Sequence, residues 1–203
     1  MSKIQTNNIA EYLNCQSILE SQTSLLYHAL SEKVELPLIK TLLKEIELDS
    51  QKHSLLLKGV SQTIKTSKGT QKDCSKTSQT LQTIALLLKE VDKMETVSSS
   101  DLRRLNGIFI TLESQMGEEY FMLVQMKTLE RMSKIINEEY SVDLTKVKSI
   151  FLKIIQDEER HIEVLETIKQ MTADKELADT APFVKYRNPD SWFKPKLSSV
   201  YEE

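Results

Sequence analysis

The sequence repeats itself. Glu20-Ser21-Gln22 returns as Glu113-Ser114-Gln115, and in each copy a tyrosine follows the glutamate by seven residues, Tyr27 in one and Tyr120 in the other. Further along, LPLIKTLLKEIELDSQKH (Leu36–His53) aligns without a gap on LTKVKSIFLKIIQDEERH (Leu144–His161), an offset of 108 residues. Lys40 meets Lys148, Ile46 meets Ile154, Asp49 meets Asp157 and His53 meets His161. Leu- and Lys-rich helices resemble one another by chance. Yet the chain has only three histidines, and two of them fall at matched places. A repeated amphipathic unit cannot bury its apolar face alone, so the two copies are expected to pack on each other.

The periodicity of each copy is helical. Ile9, Tyr12, Leu13, Ile18, Leu19, Leu25, Leu26, Ala29 and Leu30 draw an apolar stripe over about Asn8–Lys33. Pro37 suits the opening of a second helix, where a missing N–H costs nothing, and this helix is expected to run to about Lys65. The polar Thr66–Lys76 stretch reads as a loop, and a short amphipathic piece follows from Leu81 to Met94. Ser98-Ser99-Ser100-Asp101 is a helix start, opening a long helix to about Asn137, and a last helix covers about Leu144 to Met171. Beyond it, Ala173–Glu203 holds three of the four prolines and the single tryptophan, Trp192. The expected organisation is a helical bundle over residues 1–172 and an extended Pro- and aromatic-rich tail over 173–203. With 4 Gly and 4 Pro in 203 residues, turn-rich all-β folds are disfavoured.

Charge excludes some partners. The 27 basic and 30 acidic residues leave a formal charge of −3, without the clustered basic excess that nucleic acid or anionic lipid requires. No apolar run approaches the length of a membrane span, and MSKIQTNN lacks the apolar core of a secretory signal. A soluble cytoplasmic protein is expected. Cys15 and Cys74 stand far apart without a CxxC pair, so they read as inert thiols, outside any disulfide framework or four-cysteine metal site.

On the last helix, Glu158 and His161 lie one turn apart on the same side, where both can reach one ion. Their stripe is built from Ile150, Phe151, Ile154, Ile155, Ile162 and Leu165, and a carboxylate in such company needs a partner. An antiparallel bundle gathers Glu20, His53, Glu113, Glu158 and His161 at mid-height. Three carboxylates and two imidazoles are a donor set for one or two divalent transition metals.

Through ESQTSLLY, LDSQKH, ESQMGEEY and DEERH, the chain resembles the ferritin-like superfamily, and most of all its rubrerythrin-type branch. That pattern is Glu on helix 1, ExxH on helix 2, Glu on helix 3 and ExxH on helix 4, and the likeness covers about Ile9 to Met171. The resemblance implies an all-α, ferritin-like antiparallel four-helix bundle of two repeated hairpins with a crossover helix. It implies iron or manganese, with Glu20 and His53 serving one ion, Glu113 and His161 the other, and Glu158 bridging. Asp49 and Asp157 would accept the imidazole N–H groups from across the bundle. Tyr27 and Tyr120 would lie near the metals, or serve simply as core residues with a hydrogen-bonded tip. O2 or a peroxide is the implied oxidant, and a homodimer the implied assembly.

The chain departs from that pattern in three places. Ser50 stands where helix 2 should carry a glutamate, which leaves a di-metal site, a single-metal site at Glu113, Glu158 and His161, and a metal-free scaffold all open. No CxxC module is present, so an external electron donor would be required. Met116 occupies the place of a further glutamate in rubrerythrin peroxidase sites, and Glu118 and Glu119 read as solvent-facing charges. His28 reads as an ordinary half-buried histidine, and Met116, Met122, Met126 and Met132 as adaptable core. The tail's Phe183, Tyr186, Trp192 and Phe193 are expected to dock on the bundle, on a symmetric copy, or on another protein.

Overall fold

The computed structural model describes residues 3–64, 74, 79–125, 138 and 144–173, the side chains of 3–8, 122–125 and 144–148 excepted. The described elements are all helical: α1 (Lys3–Lys33), α2 (Pro37–Ile64), α3 (Gln79–Asp92), α4 (Ser99–Gln125) and α5 (Leu144–Met171). The expected α4 extension to Asn137 and the tail beyond Ala173 lie outside the described residues. No described helix is long and apolar enough to cross a membrane.

The side-chain register fixes how the helices run. Between α1 and α2, Ser61 donates to the Ala10 carbonyl, Ser54 to that of Ser17, and His28 meets Glu47, so rising numbers on one helix meet falling numbers on the other. On α4 and α5, Asn106 donates to the Leu165 carbonyl, Glu113 meets His161, and Gly117 faces Glu158. α1 faces α4 through Thr23–Met116 and Tyr27–Glu113, and α2 faces α5 through Asp49–Arg160 and Lys52–Asp157. Each of these four neighbouring pairs is therefore antiparallel. Since α2 and α4 then point the same way, the chain must cross the length of the bundle between them, and α3, packed on α1, lies in that crossover.

The interior follows the apolar stripes. Leu13, Leu26 and Leu30 from α1 meet Ile39, Leu43, Ile46 and Leu57 from α2, Phe109 from α4, and Phe151 and Leu165 from α5, none more than 1% exposed. Each such side chain contributes about 1.5–3 kcal/mol on burial. α2 shows the spacing plainly: Ile39, Leu43, Ile46, Ser50, His53, Leu57, Ser61 and Ile64 form its buried face. The polar residues on that face go inside because the isoleucines and leucines around them do.

Local chemistry sets the ends. Ser98 caps α4 by accepting the Asp101 N–H at 3.2 Å, while Asp101 Oδ2 accepts the Ser98 N–H at 3.1 Å. At the far end of α3, Lys33 Nζ donates to the carbonyls of Val91, Asp92 and Met94 at 2.7–2.8 Å. An ammonium there answers the unpaired carbonyls and the negative end of the helix dipole, and it pins the crossover to α1.

Cys15 and Cys74 form a disulfide, correcting their reading as inert thiols. The two Cα atoms lie 5.4 Å apart, within bridging range. The bond closes a separation of 59 residues, and it anchors a crossover that would otherwise hold to the bundle mainly through α3. A Cys15→Ser, Cys74→Ser double variant is expected to lose about 2–4 kcal/mol in urea unfolding. A reductant should lower the wild type to the same midpoint and leave the variant unmoved. Two titratable thiols in the unreduced, denatured wild type would contradict the bond.

Candidate metal centre

Halfway along the bundle, the apolar stripes of four helices are interrupted at once. α1 contributes Glu20, α2 His53, α4 Glu113, and α5 both Glu158 and His161. Glu20, His53, Glu113 and His161 are wholly buried and Glu158 is 1% exposed. The five residues singled out from the sequence thus come together at one interior place. They make two overlapping sets, Glu20–His53–Glu158 and Glu113–Glu158–His161, each offering ligand atoms within 4.8 Å of one another. Glu158 belongs to both.

Four of the five are braced from a different helix. Tyr120 donates to Glu20 Oε1 at 2.5 Å, and Tyr27 to Glu113 Oε1 at 2.6 Å. His53 Nε2 meets Asp157 Oδ2 at 3.0 Å, and His161 Nε2 meets Asp49 Oδ2 at 3.5 Å. The arrangement is close to two-fold, as the repeat demands. With each outer nitrogen turned to an aspartate, Nδ1 of both rings faces inward. His53 Nδ1 lies 3.1 Å from Glu158 Oε1 and 3.6 Å from Glu20 Oε1. His161 Nδ1 lies 3.0 Å from Glu113 Oε2 and 3.9 Å from Glu158 Oε2.

Other inward atoms lack partners. Both Glu158 oxygens, Glu20 Oε2, His53 Nδ1 and Ser50 Oγ are buried without a hydrogen bond. His53 Nδ1 and Glu158 Oε1 are near enough to attract, but the angle does not make a hydrogen bond. Orphaned polar atoms are rare in folded interiors and call for an explanation. The Glu20, His53 and Glu158 atoms among them belong to one set whose ligand atoms lie within 4.8 Å of one another, an arrangement that suits a cation. The residues present therefore fit a divalent transition metal: oxygen and imidazole donors, each imidazole oriented by a carboxylate behind it.

Electrostatics within the cluster are divided. Burial pushes the Glu158 carboxyl well above its usual range, and the charges of Glu20 and Glu113 push it further. Burial also acts on Glu113, but the His161 imidazole beside it outweighs burial and holds that carboxyl below its usual range. Burial disfavours a charged His53, yet the nearby Glu20 carboxylate, with Asp157, outweighs it and raises the imidazole. Burial, then the neighbouring glutamates, holds Tyr27 and Tyr120 protonated.

Outside the cluster, Lys52 Nζ bridges Asp49 Oδ1 at 2.6 Å and Asp157 Oδ2 at 2.8 Å. Arg160 pairs with Asp49 as well. Burial opposes the charge on both aspartates, but Lys52 overrides it and keeps both carboxyls low. Lys52 and Arg160 escaped the sequence reading, although the repeat marks them: each directly precedes its histidine, at the same offset of 108.

Other sequence assignments need correction. Glu119 is not simply solvent-facing: it is half-buried and accepts hydrogen bonds from Gln16 and from Tyr12, the latter at 3.3 Å. His28 is exposed, with a side chain 53% accessible, and pairs with Glu47 at 3.0 Å because its position on α1 faces away from the interior. Met116 is buried and takes the Thr23 hydroxyl on its sulfur at 3.8 Å. Met122, Met126 and Met132 lie outside the described side chains.

Comparison of the chain with protein-family models, with curated proteins and with solved structures gave no match. The site's own chemistry has to carry the reading.

Two groups at the centre should cost the metal-free protein stability as pH rises. Glu158 and His53 both hold a proton more tightly folded than unfolded, so stability falls as pH rises from about 4.5 and 6.5, their ordinary values, through the raised folded ones. In chelator, Glu158→Gln should be more stable than wild type at pH 8, with the difference vanishing near pH 4. Parallel unfolding curves across that range would contradict the electrostatic picture.

Proposed function

We propose that this chain is a ferritin-like, rubrerythrin-type protein that binds divalent iron or manganese between its two helix pairs. Glu20, His53 and Glu158 would hold one ion, and Glu113, Glu158 and His161 the other. One observation carries the reading: a fully buried Glu158 carboxylate, without a hydrogen bond, stands between two Glu–His sets whose other members are each braced from a neighbouring helix.

Bound there, iron or manganese would supply electron transfer to O2 or a peroxide. The chain's own part is positional. Asp157 and Asp49 keep the proton of each imidazole on Nε2 and leave the Nδ1 lone pair for the centre. Tyr120 and Tyr27 each occupy one oxygen of a ligand carboxylate and turn the other inward. The aliphatic layers above and below exclude water, which strengthens each electrostatic contact. With no cysteine cluster to store electrons, reduction falls to an external donor.

Ser50 makes the two halves unequal. A glutamate at Ser50 would mirror Glu158; without it, the Glu20–His53 half shares its only other carboxylate with its neighbour. The Glu113–Glu158–His161 half is therefore the tighter. The same serine favours a second reading, a metal-free bundle acting through its surface, in which Glu158 keeps its proton and the histidines pair with the glutamates.

Metal analysis of protein purified without chelator, followed by titration of the stripped protein, separates the two. One to two ions per chain are expected, with one bound more strongly. His161→Ala should remove the strong ion, whereas His53→Ala should remove only the weak one. Asp157→Asn should weaken binding about 10–100-fold. Metal at background, together with a His161→Ala variant as stable as wild type in the presence of metal, would overturn the proposal in favour of the scaffold.

A further inference from the structure

We infer that the centre takes a small monoanion from solution, of formate or acetate size, as an added ligand on the Ser50 side. The inference rests on the metal-binding reading above and follows from charge and from one unpartnered hydroxyl.

Two divalent ions would meet three carboxylates and two neutral imidazoles, leaving one positive charge uncompensated among side chains no more than 1% exposed. An unpaired charge in such a place is costly. The surroundings do not cancel it. Asp49 and Asp157 are already matched by Lys52 and Arg160, and Tyr27 and Tyr120 enter as neutral donors. The missing negative charge has to come from outside the chain.

Ser50 marks where. It precedes His53 by one turn on the buried face of α2, the relation Glu158 bears to His161. It is 1% exposed, and its hydroxyl has no hydrogen-bond partner. A hydroxymethyl in a glutamate's position falls short by about the size of a small carboxylate and leaves an O–H free to donate. A monoanion bound to metal and accepting from Ser50 Oγ would settle both the charge and the orphan hydroxyl. Hydroxide would settle the charge, but its single oxygen would have to serve metal and Ser50 at once, whereas a carboxylate offers two.

The test uses the full-length protein titrated with Co2+, whose visible spectrum reports its ligands, with and without formate at fixed ionic strength. Formate is expected to tighten the weaker ion at least tenfold and to shift the spectrum saturably. Ser50→Ala should retain the response with at least threefold weaker formate affinity. Ser50→Glu should bind two ions tightly without formate and lose the response. If two ions bind to the wild type and formate changes neither affinity nor spectrum beyond matched chloride, the anion site is refuted while the metal reading stands. A Ser50→Glu protein that responds like wild type refutes it too. Failure of Co2+ to bind the wild type at all would overturn both.

Discussion

A carboxylate with no hydrogen bond in the middle of a helical bundle is the constraint from which the rest follows. Glu158 cannot be exposed, because Ile154 and Leu165 draw its face of α5 into the core. It cannot sit there charged and alone, because burial and two neighbouring glutamates oppose it. It needs either a proton or a cation. The tyrosines, aspartates and histidines of the same layer are arranged around that choice.

The arrangement ties the centre to the bundle's register. Tyr120 on α4 holds Glu20 on α1, and Tyr27 on α1 holds Glu113 on α4. Asp157 on α5 holds His53 on α2, while Asp49 on α2 reaches His161 on α5. A slip of one turn between α1 and α4, or between α2 and α5, would break a brace and bury an unsatisfied group. The polar layer thus specifies one packing among several that the leucines and isoleucines alone would permit, a role in which buried polar groups are well attested. The disulfide and the Lys33 cap act elsewhere, by fixing the crossover that lets α2 and α4 run in the same direction.

Much of this was legible in the sequence because the repeat encodes it. Matched glutamates, tyrosines, aspartates and histidines at fixed offsets identify one interior layer, and helical spacing places it on buried faces. The disulfide was illegible for a physical reason. Cys15 sits mid-helix and Cys74 lies 59 residues on in a polar stretch of sequence, and no local periodicity relates two positions so far apart. His28 and Glu119 were misjudged because helical phase drifts over a helix as long as α1 or α4, so a position judged by distance from the ligand alone can land on either face. Lys52 and Arg160 were overlooked although the repeat contains them, since a basic residue beside a histidine ordinarily signals only a solvated surface. The absence of a second glutamate at Ser50 was plain from the alignment of the halves, and it is the feature that separates this centre from a symmetric one.

Anomalous X-ray diffraction from crystals of the metal-loaded protein, collected on both sides of the iron or manganese absorption edge, tests the central claim most directly. The account predicts anomalous density on the interior side of His53 Nδ1 and His161 Nδ1, flanking Glu158, and stronger beside Glu113 and His161. Crystals grown with either metal that show no such density between the four helices, with Glu158 instead hydrogen-bonded within the protein, would contradict it.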